Sequence, residues 1–434
     1  MAMKREVVVV LPGIMGSVLE RRGQVIWPGE LKDLIFGYRR LNDLISDDLV
    51  PTGVIRSVSI SRQYAALFET LEQFGFREQD GSMVPFAYDW RRSNMASAAA
   101  LAHRLDQLPG DVDIILLGHS MGGLVARHYL ESGRFNARRA FQQVKALITL
   151  GTPHRGAPAA LRAILGLDRK VFLTGKQVAQ VAADSRFPAV YELLPPPGEP
   201  CFWDAASGAR LRPLDIYSPQ IAGQLKLSRT NLESAAAFHA TLDVARRPEA
   251  VRYFFFAGTR MTTTTGLSLD SSSGRSLVAH ETKDGGDGTV PLWSAALTGV
   301  QSALVGGEHG GIYKNQQLRR VLGCLLGYPG TLAVVQAAEV WVHNKVVEPS
   351  AAIRATLSIE SGLAELHGVL RLTGATGARP VIKAWEVGAP ERFTEQLDLL
   401  LEAPPTPGAY RIDYVAADGR CLGEDDFFVQ VPFE

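Results

Sequence analysis

The stretch from Asp113 to Gly123 constrains this chain more than any other. Asp113-Ile114-Ile115-Leu116-Leu117 is a short apolar run of the kind that forms a buried parallel strand, and it breaks at Gly118. A helical pattern follows at once in Gly123-Leu124-Val125-Ala126-Arg127-His128-Tyr129-Leu130. Gly118-His119-Ser120-Met121-Gly122 therefore sits at a strand-to-helix corner and spells G-x-S-x-G. In such a corner the serine is held in a strained turn that exposes its hydroxyl, and the glycines are needed because a Cβ would collide with the neighbouring strand or helix. The pattern alone describes only a turn. The strand before it and the helix after it make Ser120 a candidate nucleophile.

Around this corner the chain alternates between strand-like and helix-like runs. Strands are predicted at Val7–Leu11, Met83–Tyr88, Val144–Leu150, Val251–Ala257 and Val300–Val305. Helices are predicted over Pro28–Ile45, from a Ser61 cap through Phe74 with Gly75 as its stop, and over Asn94–Leu108. Strands alternating with helices imply a mostly parallel sheet covered on both faces, an α/β fold. Two intervals interrupt the rhythm, about 18–56 and about 155–250, and insertions of that size read as caps or lids over the carboxyl edge of the sheet. Thr262–Ser273, rich in Thr, Ser and Gly, reads as a mobile loop.

Gly327-Tyr328-Pro329-Gly330 marks an expected boundary, giving a first domain over 1–328 and a second over 331–434. Beyond it lie short alternating runs at Ile353–Ile359, Val381–Val387, Leu397–Leu401, Tyr410–Tyr414 and Phe427–Val431, with a hairpin signal at Asp418-Gly419. These predict a small all-β domain, an immunoglobulin-like sandwich without paired cysteines. It carries no catalytic constellation, and its protein partner, if it has one, is unknown.

Hydrophobic residues at 46% and charged residues at 21% of 434 residues exclude a disordered or membrane-spanning chain. The 45 basic and 45 acidic residues balance, with no long basic run, which removes nucleic acid as a partner. Three cysteines, Cys201, Cys324 and Cys421, lie far apart and form neither a zinc motif nor a disulfide framework. That usage fits a reducing, cytoplasmic setting, and the apolar run after Glu6 reads as a first strand rather than a signal peptide. A secreted protein whose leader had been removed would look the same.

A serine hydroxyl needs a base within hydrogen-bond reach, and the base needs an orienting carboxylate. Downstream, the glycine-rich turn Asp284-Gly285-Gly286-Asp287-Gly288-Thr289-Val290-Pro291 offers two acids, and Gly306-Gly307-Glu308-His309-Gly310-Gly311 offers a histidine. The order Ser, acid, His is that of an α/β-hydrolase, with acid and base on loops after late strands. His154 competes as base, but His309 follows the last predicted sheet strand and precedes the terminal helix. Asp284 and Asp287 both remain open as the acid. The oxyanion of a tetrahedral intermediate would take backbone N–H groups from Met121 and from the turn after the first strand, at Ile14. No metal or organic cofactor is required.

Five segments together resemble the lecithin:cholesterol acyltransferase-like lipases and acyltransferases, a family that includes lysosomal phospholipase A2. They are Leu11-Pro12-Gly13-Ile14-Met15-Gly16-Ser17, Tyr88-Asp89-Trp90-Arg91, Gly118-His119-Ser120-Met121-Gly122-Gly123, Gly151-Thr152-Pro153-His154-Arg155-Gly156 and Gly286-Asp287-Gly288-Thr289-Val290-Pro291. The resemblance implies Ser120 as nucleophile, Asp287 as acid, His309 as base, and Ile14 with Met121 as oxyanion donors. It also implies acyl-ester substrates, often lipids, with the acyl group passed to water or to another alcohol. Independently of it, the amphipathic Pro28–Ile45 stretch could cover an active site or make peripheral membrane contact as part of the lid. Met15, Trp27 and Trp90 are the candidates for lining the substrate site or lid. The paired cysteines that clip the lid of secreted members are not evident near Trp27, Ile14 stands where some members carry a polar residue, and the C-terminal β domain is foreign to the mammalian enzymes. The expected function is a serine esterase or lipase, with acyl transfer as the alternative and a non-catalytic scaffold as the third reading.

Overall fold

The computed structural model describes residues 4–58, 63–170, 172–205, 212–270, 277–330, 338–359, 366–375, 380–389 and 396–431. Two compact units emerge: one gathers Met1–Pro28, Arg40–Ile55 and Tyr64–Leu326, the other Gly29–Arg39, Arg56–Gln63 and Gly327–Glu434.

The first unit is built on a six-stranded sheet: β1 (Arg5–Leu11), β2 (Met83–Pro85), β3 (Val112–His119), β4 (Val144–Leu150), β5 (Arg252–Thr259) and β6 (Gln301–Gly306). Its strand order is β6-β5-β4-β3-β1-β2, and every neighbouring pair is parallel. A parallel sheet is covered on both faces, so its strands are near-continuous apolar runs, as Val7-Val8-Val9-Val10-Leu11 and Ile114-Ile115-Leu116-Leu117 are. Helices α1 (Ala65–Gln73), α2 (Asn94–Asp106), α3 (Met121–Glu131) and α4 (Gln316–Leu325) supply the cover. Leu67, Phe68 and Leu71 of α1 and Leu318 and Leu322 of α4 pack against Val8, Val10, Ile115, Leu117, Ile148 and Phe256 on one face. Helices α2 and α3 pack together, and α3 lies against β3. This is an α/β-hydrolase-like fold. The strand order reverses between β1 and β3, and the carboxyl ends of those two strands open the crevice in which such sheets bind ligands.

Two sequence expectations differ from the structure. Pro28–Ile45 is not one amphipathic helix; it holds two short ones, Leu31–Phe36 and Leu41–Leu44, separated at Gly37, whose φ of 82° ends the first. Ser17–Arg21, Gln24–Trp27 and Val50–Val54 make a small sheet. Thr262–Ser273 is not a loop as far as it is described, because Met261–Leu269 is a strand paired antiparallel with Leu277–Gly286 and parallel with Phe202–Asp204. The β-branched threonines that made the stretch look polar suit a strand with one face buried. Helix α1 begins at Ala65, and Ser61, its expected cap, lies outside the described residues.

The 155–250 interval has a core of its own. Leu161, Ile164, Tyr191, Leu194, Ile221 and Leu232 cluster there with Leu267 and Leu269 of the Met261–Leu269 strand, so the hairpin belongs to the cap rather than to the central sheet. The second unit is all-β from Ala338 onward, with a three-stranded and a five-stranded sheet around Val340, Ile353, Leu357, Leu370, Ile412, Tyr414 and Phe427. Asp418-Gly419 does join two antiparallel strands, Gly408–Ala416 and Cys421–Val429, with Gly419 at φ 86°. Among the described residues no helix is long and apolar enough to cross a membrane.

Candidate active site

Ser120 stands between the end of β3 and the first turn of α3, with φ 52° and ψ −126°, a backbone region that costs energy and persists only where the surroundings enforce it. Its own N–H donates to the Leu150 carbonyl on β4 at 2.9 Å, and its carbonyl accepts from the Thr152 hydroxyl at 2.9 Å. The flanking glycine is a steric requirement: a Cβ on Gly122 would lie 2.4 Å from the Leu11 carbonyl oxygen at the end of β1. Close contact between the elbow and β1 is thus what places the Pro12–Gly16 turn beside Ser120. There a Cβ on Gly13 would lie 2.8 Å from that of Ser120.

The three residues expected to work together do meet. His309 Nε2 lies 2.9 Å from Ser120 Oγ, and His309 Nδ1 lies 2.8 Å from Asp287 Oδ2. Asp287 is fully buried. Its other oxygen, Oδ1, accepts backbone N–H groups from Thr289 at 3.0 Å and Val290 at 2.7 Å, so the turn that follows the acid also orients it. The His309 N–H donates to the Asp287 carbonyl at 2.9 Å, a second tie between the two residues. Asp284, the other acid of that turn, is exposed, and His154, the other candidate base, is buried with its ring stacked on Phe255 and Nε2 3.1 Å from the Thr149 hydroxyl. Neither is within the Ser120–His309–Asp287 chain.

The turn after β1 is held from several sides. Tyr88 donates its hydroxyl to the Pro12 carbonyl at 2.6 Å, the Gly13 N–H donates to the Tyr64 hydroxyl at 2.7 Å, and the Trp27 indole donates to the Met15 carbonyl at 2.9 Å. Gly16 N–H closes the turn onto the Gly13 carbonyl at 3.0 Å. Among the described residues the N–H groups of Ile14 and Met121 donate to no protein acceptor. Met121 is also the first residue of α3, where the helix dipole favours negative charge. Trp27 and Trp90 are buried against each other with ring centroids 5.3 Å apart, and Trp27 also packs on Phe172. Neither ring lies open to solvent, and the Trp27 indole braces this turn.

Sequence reasoning did not single out Tyr64 or the role of Tyr88, because both read as helix or strand residues with apolar neighbours. Nor was the work of Arg91 legible. It is buried, forks onto both oxygens of Asp89 at 2.8 and 2.7 Å, and donates to the carbonyls of Leu44 and Ser46. Arg186 of the cap reaches Asp47 at 2.7 Å in the same region, so the 40–55 segment is tied both to the Tyr88–Arg91 motif and to the cap.

Several histidines near the elbow are kept neutral by burial. That of His119 titrates at about 3, with nearby His309 adding to the effect, and those of His128 and His239 at about 4, all against an ordinary 6.5. His154 is shifted the same way. The unfolded chain therefore binds more protons than the folded one below the ordinary value. The contribution of these groups is complete above about pH 6.5 and is lost as pH falls toward 3 to 4. Thermal melts should show a plateau near neutrality and a falling midpoint from pH 6.5 downward; a midpoint that rises on acidification over that range would contradict the shifts.

Residues 53–257 match the family model described as lecithin:cholesterol acyltransferase. The resemblance read from the motifs is shown over that span. Within the matched span fall Tyr64, the Tyr88–Arg91 motif, Ser120 and His154, while the Ile14 turn, Asp287 and His309 lie outside it. Among solved structures, a metagenomic carboxyl esterase aligns at 12% identity over 76% of this chain and 76% of its own, with a TM-score of 0.36. A Listeria innocua protein aligns at 11% over 76% of this chain and 97% of its own, with a TM-score of 0.33. Tomato methylketone synthase I aligns at 11% over 75% and 100%, with a TM-score of 0.31. Likenesses that remote do not bear on function. No curated protein matches the chain.

Proposed function

We propose that the protein is a serine-dependent carboxylic ester hydrolase of the lipase or phospholipase type, in which Ser120, His309 and Asp287 act as nucleophile, base and acid. The observation that carries this reading is the continuous chain of short contacts from Ser120 Oγ through both ring nitrogens of His309 to Asp287 Oδ2, at 2.9 and 2.8 Å. The family match supports an esterase- or acyltransferase-type enzyme more broadly.

In the proposed reaction Ser120 Oγ forms a bond to the ester carbonyl carbon while its proton passes to His309 Nε2. Asp287 keeps the proton on Nδ1 and stabilises the imidazolium. The carbonyl oxygen takes up negative charge facing the N–H groups of Ile14 and Met121, whose places are fixed before substrate arrives and so cost little reorganisation. Collapse expels the alcohol, which takes the proton from His309 Nε2. The acyl group left on Ser120 is then attacked by water, or by a second alcohol, with His309 again as base.

A fluorophosphonate probe should label Ser120 in the native protein and fail to label the Ser120→Ala variant. The acyl acceptor is tested by adding a long-chain alcohol during turnover of an ester substrate. A new ester product at the expense of free acid means transfer, and an unchanged yield of acid means hydrolysis; the family match makes the first outcome worth measuring.

A further inference from the structure

Behind the nucleophile runs a chain of hydrogen bonds that the proposed reaction does not itself use. Gly13 N–H lies 2.7 Å from Tyr64 Oη, Tyr64 Oη lies 2.7 Å from His119 Nδ1, and His119 Nε2 lies 2.9 Å from the His309 carbonyl oxygen. The directions follow from the groups at the two ends. A carbonyl can only accept, so His119 Nε2 must carry a proton. A neutral imidazole then has a bare lone pair on Nδ1, which needs a donor. Tyr64 supplies it, since its oxygen already accepts from Gly13 and its own proton is free to be given. His119 stays neutral, being buried and close to His309, so the arrangement does not invert near neutral pH.

The two ends of this chain are functionally distinct. Gly13 precedes Ile14, one of the two N–H groups offered to the oxyanion, and the His309 carbonyl belongs to the base. Tyr313 closes the arrangement from the other side. Its ring stacks on Tyr64 at 5.5 Å and meets His119 edge-on at 5.7 Å, and its hydroxyl donates to the Gly310 carbonyl at 2.7 Å, one residue beyond the base. Tyr64 and His119 are both buried, so neither is placed to touch substrate.

We infer that Tyr64 and His119 are positioning residues that fix the oxyanion turn and the catalytic base relative to each other through the rear of the elbow. The inference rests on the proposed roles of His309 and Ile14. It assigns to the histidine of the Gly118-His119-Ser120 motif a donor function toward the backbone of the base, and it explains why a tyrosine hydroxyl is kept buried at the start of α1, where phenylalanine would pack as well.

The test uses the full chain with p-nitrophenyl octanoate as substrate and a fluorophosphonate to count reactive Ser120. Ser120→Ala is the reference for the functional reading: if it still turns over ester, that reading fails and the inference goes with it. Given an inactive Ser120→Ala, Tyr64→Phe should lose about 10-fold to 100-fold in kcat, the scale expected when reacting groups are slightly misplaced, with KM changed by no more than about twofold. Labelling of Ser120 should slow in parallel but still reach full stoichiometry, which shows that the site is folded. His119→Gln can still place an amide N–H where Nε2 was, and His119→Asn cannot. The glutamine variant should therefore keep several-fold more kcat than the asparagine variant at similar thermal midpoints. Unchanged kcat in Tyr64→Phe, or equal losses in the glutamine and asparagine variants, would overturn the inference while leaving Ser120 as nucleophile untouched.

Discussion

Replacing Ser120 by alanine should leave a folded protein and lower ester turnover by about 10⁶-fold, the scale seen when the nucleophile of an interacting triad is removed. The fold should survive because the side chain contributes a single hydrogen bond, to His309 Nε2, whose net worth is about 1 kcal/mol. The strained backbone at φ 52° is enforced by the approach of Gly122 to β1, which the substitution does not touch. Circular dichroism and thermal melting check the first half, and steady-state hydrolysis with probe labelling checks the second. A residual rate above that of water is expected, since the N–H groups of Ile14 and Met121 would still polarise a bound carbonyl. Turnover within an order of magnitude of the native protein would mean that another group does the chemistry, and the scaffold reading would return if the native protein itself resisted labelling.

Asp287→Asn is expected to lower kcat by about 10⁴-fold with little change in structure. The magnitude follows from which atom of the asparagine would face the base. Oδ1 accepts two backbone N–H groups, from Thr289 and Val290, so the oxygen of the amide stays there and its NH2 must point at His309 Nδ1. An NH2 cannot accept a proton. His309 would then hold its proton on Nε2, the atom that has to receive one from Ser120. Asp284→Asn, in the same turn but exposed, should change kcat by less than about twofold, as an exposed residue outside the contact chain does. Equal losses in the two variants would mean that the turn's charge matters rather than the orientation of the imidazole.

What could be read from the sequence followed the range over which each signal acts. Val144–Leu150 coincides with β4, and the other core strands end within a few residues of their expected limits; for the inner strands this is because a buried parallel strand is an unbroken apolar run bounded by turn residues, whereas the edge strand β6 is largely exposed. The elbow was legible for a related reason: strand, turn and helix adjoin in the chain. Met261–Leu269 was not legible, since its partner strand Leu277–Gly286 is largely exposed and neither reads as a half-buried alternation on its own. Pro28–Ile45 kept helical spacing through Gly37, and only the observed φ of 82° there shows the interruption. Tyr64 lay among the apolar residues of a helix stripe; its hydroxyl gains meaning from Gly13 and His119, 51 and 55 residues away in sequence. Short-range pattern carries no trace of such partners.

The distance along the chain between nucleophile and base has a consequence for biosynthesis. Ser120 and His309 are 189 residues apart, and the acid stands 22 residues before the base. As the polypeptide leaves the ribosome the elbow emerges first, and segments that fold early would hold a serine with nothing to take its proton. His309 arrives only with the loop after β6, once the whole six-stranded sheet has been delivered. If Ser120 and His309 act as proposed, a nascent chain stays inert toward esters until the loop after β6 has docked, by which point its cap has already been synthesised.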